Sequence, residues 1–303
     1  MYGIIKKSRE LNLSVDCQID MFDKMVTPIL LYGCEIWGFE NLDMIEKIHL
    51  KFCKIVLNLK PSTPNFMIYG ELCRTPLSVN VKMRMMKYWI KLLHGKNTKL
   101  SYILYKLLWT FYERNEGAKF KWIECIQGIL QNCGLNFVWL SQTVENTECL
   151  LIFLKQILID QFQQKWVSDC NESSKGIFYN LFTKCIFTSR KYLCTDIFMD
   201  NVITLARFRT SNHKLPIETG RWNNIPRYQR ICHLCGIEMG DEYHYIMKCS
   251  VFNESRRLYV PQVYTQRPNT LKFYNLFSCE EITVINNLCK FIKIINKRVF
   301  PPG

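Results

Sequence analysis

The chain has 303 residues, 48% of them hydrophobic, 15 cysteines and a formal net charge of +14. A chain of this length and apolar content buries a real core and is at the size where one core divides, so about two units are expected. No stretch approaches the roughly 18 apolar residues of a membrane span. The odd cysteine count, and an N-terminus that meets Lys6, Lys7 and Arg9 before any long apolar run, argue for a reducing intracellular compartment, nuclear or cytoplasmic.

Taken in order, the periodicity predicts helices near 16–33, 41–58, 64–72, 76–94, 98–114, 119–133, 146–170, 196–211, 242–258 and 279–298. The fold class expected is mostly α: a helical, bundle-like region, then a small zinc-knuckle module, then a C-terminal helix. Asp16, Asp20 and Asp23 read as a solvated helix face. His49, at helical spacing from Ile45 and Phe52, reads as a half-buried packing residue. Thr75-Pro76 predicts a helix start, with Thr75 as N-cap and Pro76 at the first helical position. Val79, Met83, Met86, Ile90 and Leu93 form its core line. No Asp or Glu occurs from 72 to 112, whereas Arg74, Lys82, Arg84, Lys87, Lys91, Lys96, Lys99 and Lys106 all do. Arg84, Lys87 and Lys91 share a stripe, either solvated or in contact with phosphates. LLIFLKQILI at 151–160 reads as a buried helix interrupted by Lys155. Weak breaks fall at 171–175 and 261–269. Ser278 and Glu281 form a capping box for the last helix, and Pro301-Pro302-Gly303 reads as a frayed tail.

The segment 203–230 carries Arg207, Arg209, Lys214, Arg221, Arg227 and Arg230 against a single acid, Glu218. Arg207 shares a stripe with Asp200, Thr204 and Ser211 and is expected at the surface. Arg209 falls with Val202 and Leu205 and is expected to hold the fold together, with Glu218 as candidate partner. Gly220-Arg221-Trp222 puts a permissive backbone, a phosphate-pairing fork and a stacking ring side by side, which suits a nucleic-acid strand. The competing reading makes Trp222 a plug beneath the module that follows. In that module Cys232, Cys235, His244 and Cys249 read C-x2-C-x8-H-x4-C, and 232/235 is the only C-x2-C pair in the chain. Thiolates and an imidazole in two close pairs supply the four corners of a tetrahedral zinc site. Four protein ligands leave no corner for water, so the expected Zn²⁺ is structural. His233 is the competing ligand and is expected to point outward. No catalytic arrangement emerges: His49, His94, His213, His233 and His244 are scattered and lack a nucleophile.

These blocks resemble the C-terminal part of the reverse transcriptases of non-LTR (LINE-type) retrotransposons. RFRTSNHKLPIETGRW, followed by RICHLCGIEMGDEYHYIMKC, resembles their zinc-binding segment. SRELNLSVDCQIDMFDKMVTPILLYGCEIWGF resembles the stretch after the polymerase palm, at the thumb. HLKFCKIVLNLKPSTPNFMIYGELCRTPLSVNVKMRMMKYWIKLL resembles the segment after that. Residues 1–115 and 195–260 carry the likeness, whereas 116–194 shares only a helical, aromatic-rich character. Cys34 and Cys73 depart from the pattern, standing where it favours small residues such as Ser and Gly. The resemblance implies thumb-like helices over 1–60, a helical region with a basic face over 61–195, a zinc-binding module over 196–262 and a helical tail over 263–303. It also implies RNA or DNA, and other proteins of the element, as partners, with no membrane and no small-molecule substrate. Polymerization needs palm carboxylates that hold two metal ions, including an Asp-Asp pair. The chain has no Asp-Asp, so the expectation is a non-catalytic fragment that binds nucleic acid through Arg207, Arg221, Trp222, Arg227, Arg230, Arg84, Lys87 and Lys91. Two alternatives stand beside it: a zinc-stabilised protein–protein interaction module, and a truncated gene model of a full RNA-directed DNA polymerase.

Overall fold

The computed structural model describes residues 2–114, 120–183, 186–188, 190–194 and 197–300. The tail at 301–303 and the first residues of the helices expected over 119–133 and 196–211 lie outside them. Among the described residues the regular structure is helical, as expected, and the one β pairing is an isolated antiparallel bridge between Ile231 and Met239. No helix among them is long and apolar enough to cross a membrane. Packing divides the chain into two compact units. One comprises the described residues of Asp23–His49 and Thr75–Trp166, the other those of Met1–Phe22, Leu50–Arg74 and Val167–Gly303.

The first of these is organised on helix Leu77–Leu93, whose Val81, Met85, Met86, Trp89 and Ile90 are fully or nearly fully buried. The helix starts one residue later than expected. Pro76 stays extended as its N-cap, and the cap hydrogen bond comes from afar: the Leu77 N–H donates to Glu46 Oε2 at 2.7 Å. The other Glu46 oxygen binds His49 Nδ1 at 2.7 Å, and His49 is wholly buried rather than half-buried. Trp89 donates to the Tyr105 hydroxyl at 2.8 Å, which in turn donates to Gln142. Buried Trp indoles need such a partner. Arg84, Lys87 and Lys91 lie exposed on the opposite face. The 151–160 stretch is one-sided: within helix Thr147–Glu172, Leu154 and Leu158 are buried while Ile152 and Phe153 are exposed.

The other unit packs helix Met199–Arg209 and helix Asn253–Tyr259 against the last helix, Ile282–Val299. Ile285, Cys289 and Ile292 are buried as the apolar line predicts, but Ile282 is exposed. The expected capping box does not form, because Ser278 is the C-cap of helix Thr270–Phe277 and Glu281 is the N-cap of the last helix. Arg209 is the hub of the buried interior. Its Nε donates to both oxygens of Glu71, at 3.2 and 3.1 Å, and its other nitrogens donate to the carbonyls of Phe277 and Phe182 and to Thr183. Arg209 does hold the fold, then, but through Glu71 rather than Glu218. Cys73 caps helix Asn65–Leu72 with φ +53°, the left-handed conformation that glycine adopts most easily.

Candidate metal centre

The two halves of the cluster are shaped by two different turns. In the first, the Ile231–Met239 bridge brings the strand-like edges together, and the Cys232 N–H donates to the Glu238 carbonyl at 2.9 Å. Gly236, at φ +69°, turns the chain so that its N–H reaches the Cys232 carbonyl at 2.9 Å. A side chain at this φ would be strained. Cys232 and Cys235 thus face the same point. In the second half, Asp241 accepts the His244 N–H at 2.8 Å and starts a π-helical turn, His244–Lys248. The wide turn closes when the Cys249 N–H donates to the His244 carbonyl at 2.8 Å. The extra residue of a π turn brings residues five apart onto one side, where a plain α turn would not.

The four ligand atoms of Cys232, Cys235, His244 and Cys249 lie within 4.8 Å of one another. Cys232 Sγ and Cys249 Sγ are 3.9 Å apart, and Cys235 Sγ is 3.3 Å from His244 Nε2. A tetrahedral centre with metal–sulfur bonds of about 2.3 Å and metal–nitrogen bonds of about 2.05 Å would place sulfurs about 3.8 Å apart and sulfur from nitrogen about 3.6 Å. The donor set therefore fits a single ion. His244 Nδ1 contacts Glu238 Oε2 at 3.3 Å, which selects the tautomer with Nδ1–H donating and leaves Nε2 bare toward the cysteines. Glu238 is in turn held by Lys248 at 3.1 Å. His233 is exposed and outside the cluster.

Burial, then the neighbouring Cys232 and Cys235 sulfurs, push the Cys249 thiol up to about 12. Against burial, the backbone N–H groups of Ile237 and Glu238 hold the Cys235 thiol below the usual value. Burial pushes His244 down, toward the neutral imidazole that a metal binds. The Tyr245 hydroxyl is fully buried with no hydrogen-bond partner at normal distance. Burial first, and then Cys232, raise its pKa. Arg256 completes the shell. It is buried, and its guanidinium donates to the carbonyls of Ile246, Cys249 and Tyr245 at 2.8, 2.8 and 3.3 Å. Nothing in the spacing around Arg256-Arg257 marked it, because its partners exist only once the π turn has formed.

The residues expected to meet nucleic acid are distributed over both units. Arg207 is exposed, and among the described residues it makes no ion pair. Trp222 is 50% exposed rather than a core plug, with Lys60 Nζ 4.2 Å from its ring centroid. Arg221 Nη2 sits 3.2 Å from buried Glu218 Oε2, off the hydrogen-bond axis. Arg227 is exposed. Arg230 braces the backbone instead, donating to the carbonyls of Ile225 and Ile217 at 2.9 Å each. A Cβ on Gly220 would meet that side chain at 2.6 Å, so Gly220 is required by this close approach. In the other unit Lys87 and Lys91 line, with Lys96, Lys99 and Tyr102, a cleft of about 600 Å³. Arg84 donates to the Leu31 carbonyl at 3.1 Å.

Three cations absent from the expected set join the Arg221 neighbourhood: Lys54, Lys60 and buried Lys175. Burial, and then the charges of Arg221, Lys60 and Lys54, push Lys175 down, with Glu218 opposing. Glu242, two residues before His244, accepts from Ser211 and contacts His213 Nε2 through its Oε1, both at 2.8 Å. Comparison with known protein families, curated proteins and solved structures finds no match.

Proposed function

We propose that the chain is a non-catalytic, nucleic-acid-binding C-terminal portion of a LINE-type reverse transcriptase, with a structural Zn²⁺ held by Cys232, Cys235, His244 and Cys249. The observation that carries the reading is this Cys₃His cluster, with Glu242, two residues before His244, bonded to Ser211 and His213 in the segment that carries Arg207, which makes no ion pair among the described residues. Three thiolates and an imidazole in tetrahedral spacing suit zinc. With every corner filled by protein, its chemistry is that of a folding ligand rather than a Lewis acid for substrate. The half-exposed Trp222 and the lysine-lined cleft at Lys87 and Lys91 supply stacking and phosphate contacts of the kind single strands use. RNA or DNA is the partner in this reading, in the nucleus or cytoplasm.

A salt series tests it. With about five phosphates contacted, the logarithm of affinity for a single-stranded oligonucleotide should fall with the logarithm of salt at a slope near about −4.5. Arg207→Ala should flatten that slope by about one unit. A second reading is favoured by one observation: Leu100, Ile103, Leu104 and Leu107, at helical spacing on one face of Leu100–Glu113, are all exposed. Salt-insensitive binding, or no oligonucleotide binding at all, would favour a protein partner over nucleic acid.

A further inference from the structure

A cleft of about 350 Å³ opens beside Arg207, lined among others by Asn58, Thr204, Lys214, Asn296 and Phe300. Its chemistry is specific. Arg207 brings a guanidinium with no ion pair among the described residues. Lys214 brings an ammonium that, among the described residues, lies over the Phe300 ring, 5.1 Å from its centroid. Lys60 lies close enough that burial, followed by Arg207 and Lys214, lowers its pKa, with Glu218 opposing. The one carboxylate in the lining, Asp200, is already engaged by Lys293. The cleft therefore has a cationic wall whose Arg207 makes no ion pair among the described residues, an exposed aromatic ring at its rim and two side-chain amides, Asn58 and Asn296. Asn212, also in the lining, is fully used: it accepts from Lys60 N and Thr63 and donates to Thr210. A volume of this order is at the lower end of small-molecule pockets, about 300–1,000 Å³. It is too confined for a duplex, whose groove is presented as a broad surface.

We propose that this cleft takes one unpaired nucleotide of a single strand, its phosphate between Arg207 and Lys214 and its base on the Phe300 ring. The inference rests on the nucleic-acid reading and adds to it a defined subsite. On binding, the Lys214 ammonium exchanges a weak cation–π contact for a charge-assisted hydrogen bond to phosphate and bares the ring for the base. Asn58 and Asn296 can each donate and accept at a base edge. Arg207, Lys214 and half-buried Lys60 repel one another in the free protein, and a phosphate placed there relieves that repulsion.

The test uses the full, metal-loaded chain and a single-stranded oligonucleotide carrying 5-bromouracil, cross-linked by ultraviolet light and mapped by peptide mass spectrometry. A cross-link on the C-terminal peptide that carries Phe300 is expected. Phe300→Leu should abolish it and weaken strand binding by about tenfold, the stacking of one base. Lys214→Gln should reduce the cross-link and flatten the salt slope by about one unit. Adenosine monophosphate should displace the strand at least about tenfold better than inorganic phosphate at equal ionic strength. Unchanged metal content in both variants verifies that they fold. A strand that binds wild type but cross-links only elsewhere, with unchanged affinity in both variants, overturns the subsite and leaves the nucleic-acid reading standing. Equal displacement by phosphate and adenosine monophosphate overturns base stacking on Phe300. A wild-type chain that binds no strand at low salt overturns the subsite together with the reading beneath it.

Discussion

Cys249 and Arg256 act as a pair at the residue scale. The sulfur closes the metal site, and the guanidinium seven residues on holds the carbonyls of Tyr245, Ile246 and Cys249 in the π turn that aims it. Three thiolates and one divalent ion would carry a net charge of −1, and buried Arg256 would supply a compensating positive charge nearby. Cys249→Ser is expected to abolish stoichiometric zinc binding, since a structural site contributes on the order of 10 kcal/mol to local folding. Arg256→Met should keep the stoichiometry but lower zinc affinity about 10- to 100-fold, as loss of an outer-shell partner does. Competition with a chromogenic chelator measures both, and wild-type affinity in Arg256→Met would contradict this account of the turn. The ligands themselves were legible in the sequence, because their spacing is a local property of two short turns. Arg256, Glu242 and the cations Lys54, Lys60 and Lys175 were not, because each acquires its role from residues that only folding brings near.

At the scale of elements, helices were legible and their ends less so. The apolar line of Leu77–Leu93 predicted its buried face, but its cap came from Glu46, 31 residues earlier, which no local motif announces. Ser278 and Glu281 have capping-box spacing, yet helix Thr270–Phe277 claims Ser278 as its own end. Arg209 pairs with Glu71, 138 residues away, rather than with Glu218 nine residues on. Propensity acts locally, and buried ion pairs are chosen by packing. One close approach can be tested directly. Gly38 ends helix Cys34–Trp37, and a Cβ there would lie 2.4 Å from Val81 Cγ1 and 2.4 Å from the Cys34 carbonyl oxygen. Gly38→Ala should therefore cost about 1–3 kcal/mol by overpacking, read as a lower urea midpoint. An unchanged midpoint would mean that the two helices pack less closely than described.

For the molecule as a whole, positive charge is set against stability. Lys175 is buried, and burial with Arg221, Lys60 and Lys54 holds its pKa below the ordinary 10.5. Between its folded value and 10.5 the unfolded chain carries a proton that the folded chain lacks, so this group makes stability rise with pH across that window. Below the folded value both states are protonated and the cost of the charge is fully present. Lys175→Met should raise the melting temperature at neutral pH and remove that part of the alkaline gain, as paired thermal melts from pH 7 to 10.5 would reveal. A variant less stable than wild type at neutral pH would show that the ammonium has a partner worth more than its burial cost. A polyanion bound at the cluster should offset the same cost and stabilise wild type more than the variant.

Glu242 ties the Arg207–Lys214 run to the turn that carries His244, so the proposed nucleic-acid binding is expected to depend on the metal. The direct measurement is the dissociation constant for one single-stranded oligonucleotide at fixed salt, before chelation, after it, and after zinc is restored. The account predicts that chelation weakens binding by at least about tenfold, roughly 1.4 kcal/mol, and that zinc restores it. Affinity that stays the same in the metal-free chain would contradict it.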